Sequence, residues 1–178
     1  MSRTFYITFS GIVAALGTAV MLLAGIIPTA TYALPALAGV FAIAVVIELN
    51  IGWAFAVYAV TGAISAFAVA DKEAALLYIL FFGYYPIMKA IFERIKNKIV
   101  QFVLKFALFN AAAVGAYYLA MWLLKLPEDA FVIFGVRLPW VLLILANAVF
   151  IIYDFGLSGL VVLYVKRLHP LFSRWMRK

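Results

Sequence analysis

The chain of 178 residues contains no cysteine, so disulfides, thiolate metal centres and cysteine nucleophiles are all excluded. Its single histidine, His169, sits in a basic tail. Charge is scarce: 12% of residues are Asp, Glu, Lys or Arg, against about a quarter in an ordinary soluble domain. There is no HExxH, no Gly-x-Ser-x-Gly, no glycine-rich phosphate loop ending in lysine and no pair of helix carboxylates at metal-ligand spacing. Asp71 and Glu73 flank a short turn, and Glu128 and Asp129 fall in a loop. No enzymatic activity, cofactor or metal is expected. The lysines and arginines lie mostly at the ends of hydrophobic runs, so the net charge of +7 marks membrane topology and no nucleic-acid partner.

What is abundant is apolar. Hydrophobic residues make up 69% of the chain, and the mean hydropathy is +1.17. Apolar runs of roughly 20 residues recur from one end to the other, a pattern for which lipid is the solvent. The expectation is one polytopic membrane domain over residues 1–178, a multi-pass protein of the cell membrane with lipid around it. The first run, "FYITFSGIVAALGTAVMLLAGII", follows Arg3 as a signal peptide would. It exceeds the roughly 7–15 residues of a signal core and lacks a small-residue cleavage site, so it reads as a membrane span.

Charges, prolines and asparagines divide the chain into six expected helices: Phe5 to Ile27, Tyr32 to Leu49, Ile51 to Ala70, Ala74 to Phe92, Ile99 to Leu124 and Leu138 to Val165. At about 1.5 Å per residue each can cross a ~30 Å hydrocarbon core, the second and fourth only just. A tight reversal at "ELNIGW" separates the second from the third, with Asn50 suited to cap the latter. Within "FFGYYPIMKAIFERIKNK", Pro86 denies a donor to the carbonyl of Phe82 and bends the fourth span, and Gly83 eases the strain. Lys89 and Glu93 pair at i, i+4 as that helix leaves lipid. The "AFVIFGV" stretch of the loop from Lys125 to Pro139 suits a short strand or an interfacial helix, and the loop is either a lid or a headgroup-level connection.

Basic residues collect at Arg3, at Arg94, Lys96 and Lys98, and at Lys166, Arg167, Arg174, Arg177 and Lys178. An even number of spans brings these to one side, which the positive-inside rule makes cytoplasmic, with both termini there.

Polar groups inside spans are costly and are kept for packing or function. Asn110 in the fifth span and Asn147 and Asp154 in the sixth are the clearest. Asn147 and Asp154 share a helix face, as do Asn110, Val114, Tyr117 and Met121. Facing each other, the two would form a polar stripe edged by aromatics, with Tyr117, Tyr118 and Asn147 in the outer half and Trp122 and Trp140 at the outer interface. Such a cavity suits a small, flat, weakly polar solute; interhelical hydrogen bonds and an aromatic belt account for the same residues. Tyr84 and Tyr85 fall near the midplane and are candidates for the cavity floor. Lys105 either pairs with Asp154 or, as its position favours, snorkels to the headgroups. In the latter case Asp154 takes Asn110 or a phenol as partner, or is protonated.

In the first helix Gly11, Ala15 and Ala19 recur every four residues on one face. Small side chains let a second helix approach closely, either within this bundle or from a partner subunit. The six spans, both ends cytoplasmic, the short first outer loop "IPTATYALP" and the Ala-x-x-x-Ala at Ala15 and Ala19 resemble the substrate-capture S components of energy-coupling factor vitamin transporters. The resemblance covers the whole chain as architecture and, as a motif, Ala15 and Ala19. It implies an S-component-like helical bundle that takes a vitamin-like small organic solute from the outer side. It also implies that Ala15 and Ala19 meet a transmembrane T subunit joined to ATPase subunits. Two other readings remain: a stand-alone secondary carrier or channel driven by Asp154 or a polar pore, and a structural or regulatory membrane subunit that binds anionic lipid or protein through its basic loop and tail.

Overall fold

A computed structural model of the chain describes residues 3–124, 132–133 and 136–170. Apolar segments in lipid must satisfy their backbone internally, and the chain does so as helices. α1 spans Arg3–Leu23, α2 Ala33–Glu48, α3 Ile51–Ala68, α4 Lys72–Leu77, α5 Tyr85–Phe92, α6 Lys98–Leu124 and α7 Leu138–Arg167. Among the described residues five segments are apolar and long enough to cross a membrane: α1, α3, the combined α4–α5 segment Lys72–Phe92, and the cores of α6 and α7. The 16 residues of α2 are shorter than the expected second span, about 24 Å at 1.5 Å per residue. Between α6 and α7, β1 (Val132–Ile133) pairs antiparallel with β2 (Val136–Arg137), the short-strand form expected of that stretch. The rest of that loop, with Glu128 and Asp129, and the tail residues Arg174, Arg177 and Lys178 lie outside the described residues.

The breaks follow the local chemistry. Asn50 stands in extended backbone and its side chain accepts a bond from the Trp53 amide at 3.1 Å, so α2 stops and α3 starts at the expected reversal. Asp71 caps α4 by accepting from the Ala74 amide at 3.0 Å. The fourth span is interrupted by one turn of π-helix at Tyr78–Phe82, closed by the Gly83 amide donating to the Tyr78 carbonyl five residues back at 2.8 Å. Pro86 then opens α5 in its first turn, where its missing N–H costs nothing. Gly83 has a reason other than strain relief. Its backbone is ordinary helix, and a Cβ there would meet the rings of Tyr58 and Tyr78 at 2.7 and 2.8 Å. The Phe82 carbonyl, to which Pro86 has no N–H to donate, lies against α2, whose Gly39 is so close that a Cβ would overlap that oxygen.

α1 packs against α2 and α3 through Ser10, Val13, Ala14, Gly17 and Met21. The helices α6 and α7 form a hairpin that docks on α2, α5 and the π turn through an aromatic cluster, with Phe109 stacked on Phe150 at 4.5 Å and Phe81 against Tyr85 at 4.7 Å. At one end of the bundle the Tyr6 ring of α1 meets Trp53 of α3, and Glu48 of α2 is bonded by Tyr164 and His169 at the end of α7. At the other end Thr31 and Tyr32 are bonded to Asp71 and Glu73. Helix α2 therefore runs between the two ends, and the start of α1 and the end of α7 share the Glu48 end.

Candidate functional site

The heart of the candidate site is a charged cluster where α5, α6 and α7 meet. Lys89 of α5 donates to Asp154 Oδ1 of α7 at 2.6 Å, and Lys105 of α6 donates to Asp154 Oδ2 at 3.0 Å. Both ammonium groups also reach Glu93 Oε1, at 2.6 Å from Lys89 and 2.8 Å from Lys105. The Tyr85 phenol donates to Asp154 Oδ1 at 2.6 Å. The lysine side chains are 3% and 8% exposed. Two buried ammonium groups facing two carboxylates are thus neutral as a set, the arrangement that makes burial of charge tolerable.

Helix periodicity carries each member to this point. Tyr85, Lys89 and Glu93 are spaced four apart along and just past α5, so they descend one face. The Lys89–Glu93 pair is present as expected, but Lys89 is buried and bonds across to Asp154 as well. Lys105, for which snorkelling was the favoured expectation, turns inward instead, because Asp154 and Glu93 hold it at both sides. Asp154 finds a phenol, as one alternative had it, together with two lysines.

Asn110 and Asn147 meet and are occupied with each other. Each amide nitrogen donates to the other's oxygen, at 2.9 and 3.0 Å, and each also bonds the carbonyl one turn back, Phe106 for Asn110 and Leu143 for Asn147, both at 2.8 Å. This clasp joins α6 to α7. Tyr117 lies about two turns from Asn110 on α6 and packs edge-on against Tyr118 at 5.5 Å; it is not among the groups bonded to Asp154. Tyr84, the residue before α5, meets Tyr58 of α3 edge-on at 5.8 Å instead. Tyr85 and Asp154 are therefore brought together, Asn110 and Asn147 form a second pair, and Tyr84 and Tyr117 belong to neither. Tyr118 and Trp122 are exposed on α6, as an aromatic belt would be; the Trp140 side chain lies outside the described residues.

A cavity of about 70 Å³ adjoins Lys89 and Glu93 between α2, α5 and α7. Ligand pockets for organic solutes of drug size run to several hundred Å³ (roughly 300 or more), so in this conformation the space suits water or a few carbon atoms. Gly11, Ala15 and Ala19 lie on the exposed side of α1, opposite the face that packs on α2 and α3. Among the described residues nothing packs over the stripe from within this chain's own bundle.

Sequence reading missed the second polar junction, at the Glu48 end. The Glu48 side chain is 1% exposed. Its Oε1 is reached by the Tyr164 hydroxyl at 3.1 Å and His169 Nδ1 at 3.0 Å, and Oε2 has no hydrogen-bond partner among the described residues. The signal available was an acid at a helix end with no basic residue one turn away. At the opposite end Tyr32 donates to Glu73 at 2.8 Å. That acceptor, then partial burial and the nearby charges of Glu73 and Asp71, raises the phenol's pKa above its ordinary value. Set against models of protein families, curated proteins and solved structures, the chain matches none.

Proposed function

We propose, starting from a membrane-embedded helical bundle with no nucleotide-binding motif, that the chain is a subunit of a multi-component membrane transporter, of the substrate-capture type that the S components of energy-coupling factor systems represent. It takes a small, vitamin-like organic solute from the outer side and depends on a T subunit and ATPases for energy. The observation that carries this reading is the outward stripe of Gly11, Ala15 and Ala19. A helix that packs one face into its own bundle and leaves a run of small residues on the other offers a partner helix the close backbone approach by which helices associate in lipid. The orientation is supported by charge. Arg3, Arg94, Lys96, Lys98, Lys166 and Arg167 gather toward the Glu48 end, which the positive-inside rule makes cytoplasmic, while Asp71, Lys72 and Glu73 at the other end are mixed.

A second reading, a structural or regulatory membrane subunit, is favoured by the closure of the internal polar groups. Asn110 is bonded to Asn147, and Asp154 to Lys89, Lys105 and Tyr85, so solute capture in the outer half requires the α6–α7 hairpin to move away from α5. The stand-alone carrier is weaker. Protonating Asp154 would cost it two ammonium partners at once.

The test is purification of the tagged chain from its native membrane, with mass spectrometry of both co-purifying proteins and retained small molecules, alongside the variant Ala15→Leu/Ala19→Leu. Substrate capture predicts a membrane partner with ATPases and a bound organic solute, the partner being lost in the variant while thermal melting is unchanged. A partner without solute supports the structural reading. Neither partner nor solute refutes both.

A further inference from the structure

The two carboxylates of the charged cluster are not equivalent. Asp154 lies within α7, 14% exposed, and takes three donors on two oxygens. Glu93 lies just past the last residue of α5, is 39% exposed, and touches both lysines through the single oxygen Oε1. Asp154 is built in, and Glu93 reaches in from the surface. Beside Lys89 and Glu93 lies the 70 Å³ cavity, whose other walls are wholly apolar: Ile43, Val46 and Ile47 of α2, Pro86 and Ala90 of α5, and Val161 of α7. A buried pair of ammonium groups, a carboxylate held there by a surface residue, and an apolar chamber next to it together describe the head and tail of one kind of ligand.

We propose that this junction binds a short aliphatic monocarboxylate, with Glu93 acting as the intramolecular occupant that the ligand displaces. The ligand carboxylate takes the position of the Glu93 carboxylate between Lys89 Nζ and Lys105 Nζ, and Glu93 swings toward the exposed Glu48 end, from which the ligand enters. Its alkyl chain enters the apolar chamber. Charge decides the valence: exchange of one carboxylate for another keeps the buried set neutral, whereas a dicarboxylate would leave an uncompensated buried charge. Volume decides the length. A cavity of about 150 Å³ holds benzene, so the 70 Å³ here has room for a chain of about three carbons, as in butyrate. This site does not rest on the partner-subunit reading, since it lies in the other half of the bundle and needs no second chain.

The experiment is equilibrium binding of radiolabelled butyrate to the purified full chain in nanodiscs, for the native protein, Glu93→Gln and Glu93→Gln/Lys105→Gln. Glu93→Gln removes the competing carboxylate and leaves an excess positive charge, so butyrate should bind roughly tenfold tighter or more than to the native chain. The double variant restores neutrality without the lysine pair and should lose that gain. On the native protein, needing no substitution, affinity should rise from acetate to butyrate and fall at octanoate, with succinate weak. Equal affinity in native and Glu93→Gln, or an undiminished gain in the double variant, overturns the displacement. Chloride competing as well as butyrate overturns the tail chamber. Affinity that keeps rising through octanoate puts the alkyl chain in lipid and overturns the short apolar chamber.

Discussion

Substituting Asp154→Asn tests whether the charged cluster holds the α6–α7 hairpin to the rest of the bundle. The change removes one negative charge and keeps the shape and some hydrogen bonding, leaving Lys89 and Lys105, 3% and 8% exposed, to share Glu93 alone. Removing one partner of a buried ion pair costs about 3–5 kcal/mol. Since Glu93 still touches both lysines and admits solvent at 39% exposure, the expected loss is near the lower bound, about 3 kcal/mol. In Asp154→Asn/Lys105→Gln the buried set is neutral again around Lys89–Glu93, so most of that loss should return and the cycle should show a coupling of about 2 kcal/mol. The assay is reversible unfolding in mixed micelles against increasing SDS, followed by the fluorescence of the four tryptophans. A single variant within about 0.5 kcal/mol of native, or purely additive losses, would refute the reasoning. It would mean that the lysines reach the headgroups when unpartnered, as long basic side chains near helix ends can.

Three further outcomes follow from the packing. Asn110→Ala strips Asn147 of its partner and should cost about 1 kcal/mol in the same assay, whereas Asn110→Ala/Asn147→Ala should cost little more than the single change; full additivity would mean the clasp is not formed. Gly39→Ala drives a methyl group into the Phe82 carbonyl and should cost about 1–3 kcal/mol, while Gly11→Ala, with nothing within 4 Å, should leave melting unchanged; equal effects of the two would contradict the α2–π-turn contact. Asn50→Ala removes the cap of α3 and should cost about 1 kcal/mol, read as a lower unfolding midpoint, and Asn50→Asp should retain most of the stability.

The helical bundle was legible because lipid leaves the backbone little choice. Apolar length, the Asn50 reversal and the Pro86 interruption are local properties, and each appears where residue chemistry puts it. The length of α2 was overestimated, since Tyr32 and Leu49 look as apolar as span residues yet serve as its flanking residues. Asn110 and Asn147 were legible as intramembrane amides, and the choice between a solute and each other fell to the meeting of α6 and α7. In one dimension Lys105 looks like a basic residue near a helix end, with the headgroups its favoured destination, and Lys89 looks like half of a local pair with Glu93.

The sequence by itself determined that the chain forms helices apolar and long enough to cross a membrane, where those helices break, that one face of α1 is small, and that a few polar groups must be satisfied inside the bundle. Those follow from hydropathy, capping and periodicity, which act within a single helix. Only the tertiary structure decided that Asp154 is held by Lys89, Lys105 and Tyr85, that Gly39 lies against the Phe82 carbonyl, that Glu48 is bonded by Tyr164 and His169, and that Gly11, Ala15 and Ala19 face outward. The partners of Asp154 lie 49 to 69 residues from it in the chain. Such pairings are set by which helix surfaces meet, and the helix surfaces here are too uniformly apolar for sequence alone to rank the alternatives.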